Sequence, residues 1–174
     1  MRNEWEQIAM RMSADRSSLL EAKSVSMGQV AAGRAPACMK AILGSCIGVF
    51  LFHPRLKVGA VAHIVLPDSA GRGGAAGKFA DTAIPEMLRL LADLNTPAHG
   101  LTAKIAGGAN MFGSSGPVQI GEENAKAVRE MLRKHTAAKI VGEDLGGGKG
   151  RRVVFDCDSG DMIVEIAGKP ARTF

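Results

Sequence analysis

The chain has 174 residues, 46% of them hydrophobic and 22% charged, a size and balance that suit one compact domain and exclude disordered or collagen-like chains. Glycine is the outlier: 22 of 174 is about 13%, near twice the ordinary ~7%, while aromatic residues make up 4% and tyrosine is absent. The formal net charge of +5 is localised, because residues 126–152 hold eight basic and three acidic side chains and the rest of the chain balances at fourteen of each.

That basic segment carries no aromatic side chain on which a base would stack, so it argues against a nucleic-acid partner and reads as a solvated face. Docking of an acidic protein is the weaker functional reading. No apolar stretch approaches the ~20 residues of a membrane helix, and the first 25 positions mix four basic with four acidic residues. A signal peptide and membrane insertion are therefore not expected. Three cysteines at irregular spacing, Cys38, Cys46 and Cys157, suit a reducing cytoplasm better than a disulfide framework.

In chain order, residues 1–24 read as an N-terminal extension in which Trp5, Ile8, Ala9 and Met12 fall at helical spacing. Residues 25–174 read as a single domain. From Met27 the texture changes to short, often β-branched apolar runs divided by glycine, proline and aspartate. Strands are expected at CIGVFLFH, VGAVAHIVL, AKIAGG, PVQIG, KIVGED, RRVVFD and DMIVEIA, the last two forming a hairpin across CDSG. Two segments carry the 3.6-residue period instead: Ala80, Ile84, Met87, Leu88 and Leu91 in one, Val128, Met131, Leu132 and His135 in the other. Asp81 or Thr82 is expected to cap the first, with Pro85 inside its opening turn. Strands outnumber helices without regular alternation, so the expected class is α+β: a mixed sheet or sandwich of short strands with two main helices packed on it.

The chemistry centres on Cys46, which follows Gly44-Ser45 and opens an apolar strand, so its sulfur stands at a turn. A free thiol of pKa ~8.5 is only about 3% thiolate at pH 7, so a nucleophilic cysteine needs a neighbouring cation or base. His63 supplies one, on the strand that follows a turn through Pro54 and Lys57. With the turn near residues 54–57, positions 46 and 63 are expected roughly opposite each other. A buried imidazole in that apolar run also requires a partner of its own. Gly44 and Ser45 shape the turn that leads into Cys46. Cys38 and Cys157 read as packing residues, and His53, His99 and His135 as turn or helix-surface residues.

Other motifs lack their chemistry. No Cys-x-x-Cys or His-x-x-x-His pair suggests a metal site. LGGGKGRR lacks the spacing and the Ser or Thr of a phosphate loop. GRGGAA, Gly71–Ala76, fits G-x-G-x-x-A, but Pro67, Asp68 and Ser69 separate it from the preceding strand, so a substrate-rim loop is the better reading.

Taken together, LGSCIGV, KVGAVAHIVLPDS, KFADTAIPEML, AKIAGGANMF, IGEEN and GEDLGGGKGRRVVFDCDSGD resemble, in order and spacing over residues 27–167, the CheD family of chemoreceptor glutamine deamidases. The resemblance places the family's nucleophile on Cys46 and its histidine on His63. It implies conversion of glutamines on methyl-accepting chemotaxis receptors to glutamate through a cysteine thioester, with oxyanion support at the turn of Gly44 and Ser45 and no metal or organic cofactor. A CheC-type phosphatase is the further partner it implies, and monomer is the default state. One departure stands out. The family's threonine, five or six residues before the cysteine, orients the histidine, and here Lys40 and Ala41 hold those places. That absence motivates an alternative, a binding module with weakened catalysis that docks a receptor or phosphatase. A third reading keeps the same residues and changes only the substrate, as another thiol acyl transfer outside chemotaxis.

Overall fold

The computed structural model describes residues 21–111 and 119–174. The helical spacing of Trp5 to Met12 lies outside the described residues. Among the described residues, ten strands and two helices follow in the order β1 Lys23–Ser24, β2 Val30–Arg34, β3 Cys38–Leu43, β4 Ile47–His53, β5 Val58–Ile64, α1 Ala80–Asp93, β6 Thr102–Gly107, α2 Ile120–His135, β7 Lys139–Leu145, β8 Arg151–Asp156, β9 Met162–Glu165 and β10 Arg172–Thr173. They form two mixed five-stranded sheets with both helices on one of them, the α+β class expected from the sequence.

The sheet of order β2-β5-β4-β6-β7 is the middle layer. Its helix-facing side contributes Ile47, Val49, Leu51, Ala60, Ala62 and Ile64 to a core with Ile84, Met87 and Leu91 of α1 and Val128 and Leu132 of α2. Its other side contributes Phe50, Phe52 and Val61 to a second core with Met39, Leu43, Val153 and Phe155 of the sheet β1-β3-β8-β9-β10. Phe155 stacks on Phe50 and meets Phe52 edge-on, with ring centroids 5.3 and 5.7 Å apart. Being covered on both faces explains why β4 and β5 read as continuous apolar runs, every residue buried, and not as an alternation.

Several sequence expectations change. PVQIG is not a strand where it is described: Ile120 and Gly121 open α2, whose first turn carries Glu122 and Glu123 against the positive end of the helix dipole. Helix α1 begins at Ala80 after Phe79, with no side-chain cap. Asp81 instead turns its carboxylate to the preceding loop, accepting hydrogen bonds from the Ser69 N–H (3.0 Å) and hydroxyl (2.6 Å), and Pro85 falls in the second turn. His53 is buried, its Nδ1 accepting from the Leu56 N–H at 3.3 Å, so it closes the β4–β5 turn from inside. Arg151 leaves the basic face altogether. It is buried, donating to the Asp144 carboxylate and carbonyl and to the Gly146 carbonyl, and so it ties the glycine-rich β7–β8 loop together.

Candidate active site

The β4–β5 hairpin sets the geometry of the two residues of interest. Its turn leaves Pro54 to Lys57 unpaired, with Lys57 at a φ of 52°, and the ladder then runs from His53↔Val58 to Ile47↔Ile64. His63 therefore pairs with Gly48, not with position 46. Cys46 lies two residues beyond Gly48, a diagonal step of roughly 7–8 Å in an antiparallel sheet. The face is nonetheless shared. Alternation puts Cys46, Phe50 and Phe52 on the side of the middle sheet that carries Val61, and His63 follows Val61 by two. Gly48 intervenes without a side chain, and a methyl group there would press on Leu43 at 2.8 Å.

His63 is buried, 3% exposed, and its two ring nitrogens have different fates. Nδ1 lies 3.0 Å from the Val25 carbonyl oxygen. A carbonyl only accepts, so Nδ1 carries the proton and donates it, which leaves Nε2 as the nitrogen with a lone pair. Nε2 is buried and has no hydrogen-bond partner among the described residues. Burial, opposed by the Val25 bond, holds the imidazole below its ordinary 6.5.

Val25 is held in turn: its N–H donates to the Lys40 carbonyl at 2.8 Å, continuing the parallel pairing of β1 with β3. A backbone relay from Lys40 through Val25 thus reaches His63. The side chains at the two family-threonine positions diverge. Ala41 faces the core between the sheets, with Met39 and Leu43, whereas alternation turns Lys40 to the outer side of its sheet, away from Cys46.

Cys46 is 7% exposed, and burial pushes its thiol above the ordinary 9.0, against the pull of its own backbone N–H. Burial thus disfavours the charged form of each group. The Gly44–Cys46 turn is gripped from β6: the Gly108 N–H donates to the Cys46 carbonyl at 2.9 Å and the Ala109 N–H to the Gly44 carbonyl at 2.8 Å. This contact needs glycine. Gly107 has a φ of +119°, and a Cβ on it would lie 2.1 Å from the Cys46 carbonyl oxygen. Exposed Met111 lies over Gly44, where a Cβ would be 2.6 Å from its sulfur.

A cleft of about 380 Å³ adjoins this turn, lined among others by Ser45, Gly108, Met111 and Gly121. The larger hollow, about 600 Å³, lies on the outer face of the other sheet around Ile42 and Ile163, away from Cys46 and His63. The glycine-rich loop after β5 packs on the backbone beside His63: the Gly77 N–H donates to the Gly28 carbonyl at 3.0 Å, while the Gly28 N–H donates to the His63 carbonyl at 2.9 Å. Cys38 and Cys157 are buried, and His99 and His135 are exposed. No group of three or more metal-ligating side chains occurs among the described residues, and none of their helices is long and apolar enough to cross a membrane.

Two residues at this site were not anticipated. Val25 acts through its carbonyl, for which a sequence has no side-chain signal. Asn124 did leave one: it is a polar residue on the buried stripe of α2 with Ala125, Val128 and Leu132.

A family model described as "CheD chemotactic sensory transduction" matches residues 65–166, starting just after His63. A chemoreceptor glutamine deamidase CheD of Thermotoga maritima is 39% identical over 147 residues, covering 84% of this chain and 92% of that protein. Probable chemoreceptor glutamine deamidases CheD of Methanococcus maripaludis and Desulforamulus reducens are 39% identical over 142 residues and 42% identical over 135, covering 80% and 75% of this chain and 92% and 81% of their own lengths. The chain belongs to the CheD family.

Proposed function

We propose that this protein is a chemoreceptor glutamine deamidase, a protein-glutamine amidohydrolase, with Cys46 as nucleophile and His63 as general base and acid. The observation that carries the assignment of roles is the asymmetry of His63, whose Nδ1–H is fixed on the Val25 carbonyl while Nε2 has no partner among the described residues, on a sheet face that alternation shares with Cys46. Names of the relatives support the substrate class, glutamine side chains of chemoreceptors, and we take these to be the methyl-accepting chemotaxis receptors.

The chemistry follows from that asymmetry. His63 Nε2 removes the thiol proton as Cys46 Sγ attacks the carboxamide carbon, so a strongly acidic thiol is not required beforehand. The developing oxyanion is met by backbone N–H groups of the Gly44–Ser45–Cys46 turn, the Cys46 N–H first among them. The imidazolium returns its proton to the amide nitrogen, the C–N bond breaks and ammonia leaves, giving a γ-glutamyl thioester on Cys46. Water, deprotonated by Nε2, attacks the thioester. The C–S bond then breaks, the sulfur recovers its proton from His63, and glutamate is released. The balance is one glutamine side chain plus one water to one glutamate side chain plus ammonia, with no cofactor.

The missing threonine, which favoured a catalytically weakened docking module, loses that force because Val25 supplies the orienting acceptor through its backbone. A cytoplasmic location and a CheC-type phosphatase as second partner complete the proposal. The test is incubation of the protein with receptor cytoplasmic fragments and peptide mass spectrometry for the ~1 Da gain of Gln-to-Glu conversion. Site-specific conversion is expected, and receptor binding without conversion overturns the enzymatic reading.

A further inference from the structure

The β4–β5 ladder ends at Ile47↔Ile64, one residue short of the nucleophile. From the β6 side, the Gly44–Cys46 turn is tethered by two backbone hydrogen bonds, Gly108 to Cys46 and Ala109 to Gly44. Those bonds say nothing about where the turn sits relative to β5, the strand that carries His63. A side chain from the helix layer spans the two. Asn124 of α2 is fully buried, and its Nδ2 donates at 3.2 Å to the Ser45 carbonyl and at 2.9 Å to the Val65 carbonyl. One amide thus bridges the residue before Cys46 and the residue two after His63, where the next rung of the ladder would fall.

The orientation of this amide is unambiguous, because both facing groups are carbonyls and only the NH₂ end can satisfy them. Both of its protons are used. Its Oδ1, by contrast, is buried with no partner among the described residues, a desolvation cost that an apolar residue of the same size would avoid. Helix α2 comes near enough because Gly121 lies directly on Gly108: a Cβ on Gly121 would be 2.3 Å from the Gly108 carbonyl oxygen. The helix, the Gly107-Gly108 turn and the Cys46 turn are thereby stacked in one contact.

We propose that Asn124 is a positioning residue that sets the distance between Cys46 and His63 by cross-linking the Ser45 and Val65 carbonyls. This rests on the assignment of those two residues as the catalytic pair. Misplacing reacting groups by about 1 Å can cost on the order of a hundredfold in rate, whereas a merely structural buried asparagine would be felt in stability.

The test uses full-length Asn124→Leu, which fills the volume, removes both donors and removes the orphaned oxygen, alongside Asn124→Asp, which keeps the shape and loses the donors. Conversion of receptor-fragment glutamines is followed with the concentration of folded enzyme fixed by thermal unfolding. The expected result for Asn124→Leu is unfolding at or above the wild-type temperature, kcat lower by about 10- to 100-fold, KM within twofold, and slower alkylation of Cys46 by iodoacetamide across the pH range. Wild-type kcat per folded molecule in both variants overturns the assignment, as does a loss that tracks the folded fraction alone. Cys46→Ala in the same assay separates the two readings. If it still converts glutamine, the catalytic pair is wrong; if it is inactive while Asn124→Leu runs at full rate, only the role of Asn124 fails.

Discussion

Cys46 and Cys157 are two thiols in one core, the layer between the sheets, yet their surroundings prepare them for different fates. Cys157 is completely buried just after β8, its N–H donating to the Ala37 carbonyl, and burial pushes its thiol up to about 12. Cys46 sits at the rim of the same layer, on a turn beside a cleft, with its own N–H against the sulfur and His63 on its face. Desolvation raises both thiols. What distinguishes them is position: Cys46 shares a sheet face with an imidazole whose Nε2 has no hydrogen-bond partner among the described residues, and its turn adjoins the cleft lined by Ser45 and Gly108. A raised thiol is common to both and does not tell them apart.

The sharpest break of that comparison is to exchange the losses. Cys46→Ala is expected to lower receptor-glutamine conversion at least about a thousandfold while leaving urea denaturation nearly unchanged. Cys157→Ala in the same mass-spectrometric assay should keep its turnover per folded molecule. Equal activity in the two variants would end the distinction.

Next in size is His63→Gln, which retains an amide donor for the Val25 carbonyl but has no basic nitrogen. Its conversion rate is expected to drop about 10²- to 10⁴-fold, and alkylation of Cys46 near pH 7 should slow in parallel. Gly107→Ala attacks the scaffold of the pair: the new Cβ meets backbone at 2.1 Å in a left-handed conformation. A loss of about 3 kcal/mol or more in denaturant unfolding is expected, and the folded remainder should be less active because the Cys46 carbonyl has moved. Cys157→Ala, the counterpart in the quiet region, should cost only about 1–2 kcal/mol, by loss of packing.

The smallest effect is the pH dependence of stability. The folded imidazole of His63 lies below its ordinary 6.5, so its contribution is fully present above that pH and is lost as the pH falls through the folded value, where the unfolded chain binds a proton that the native state refuses. Cys46 works the opposite way. Its raised thiol contributes stability below the ordinary 9.0 that is lost as the pH rises through the folded value. Melting temperatures of His63→Gln and Cys46→Ala between pH 5 and 10 should each lack one of these limbs.

Periodicity made the middle of the fold legible. The continuous apolar runs of β4 and β5 and the 3.6-residue pattern of α1 and α2 carry their own signal, since burial on two faces or along one stripe is written in the side chains. Strands β1, β2, β3 and β10 were missed for the complementary reason. They are short or interrupted by glycine, lysine or arginine, and pairing with another strand, as distant as β8 for β3 and as near as β9 for β10, makes them strands where local pattern does not. PVQIG opens α2 where it is described; its two apolar residues separated by Gln119 are too few to carry a period.

For the site, the sequence by itself determined the reactive residue types and their local setting: a thiol after Gly-Ser and an imidazole on the next strand, in the motif order of the CheD family. Only the tertiary structure decided how they relate. The hairpin register puts His63 across from Gly48, the Val25 carbonyl fixes which imidazole nitrogen is free, and Asn124 joins the two strand ends from a helix more than fifty residues away. The physical reason is common to all three. A main-chain carbonyl is the same in every residue, so its identity as a partner exists only in three dimensions, and register depends on where a turn closes, which side-chain composition constrains only loosely.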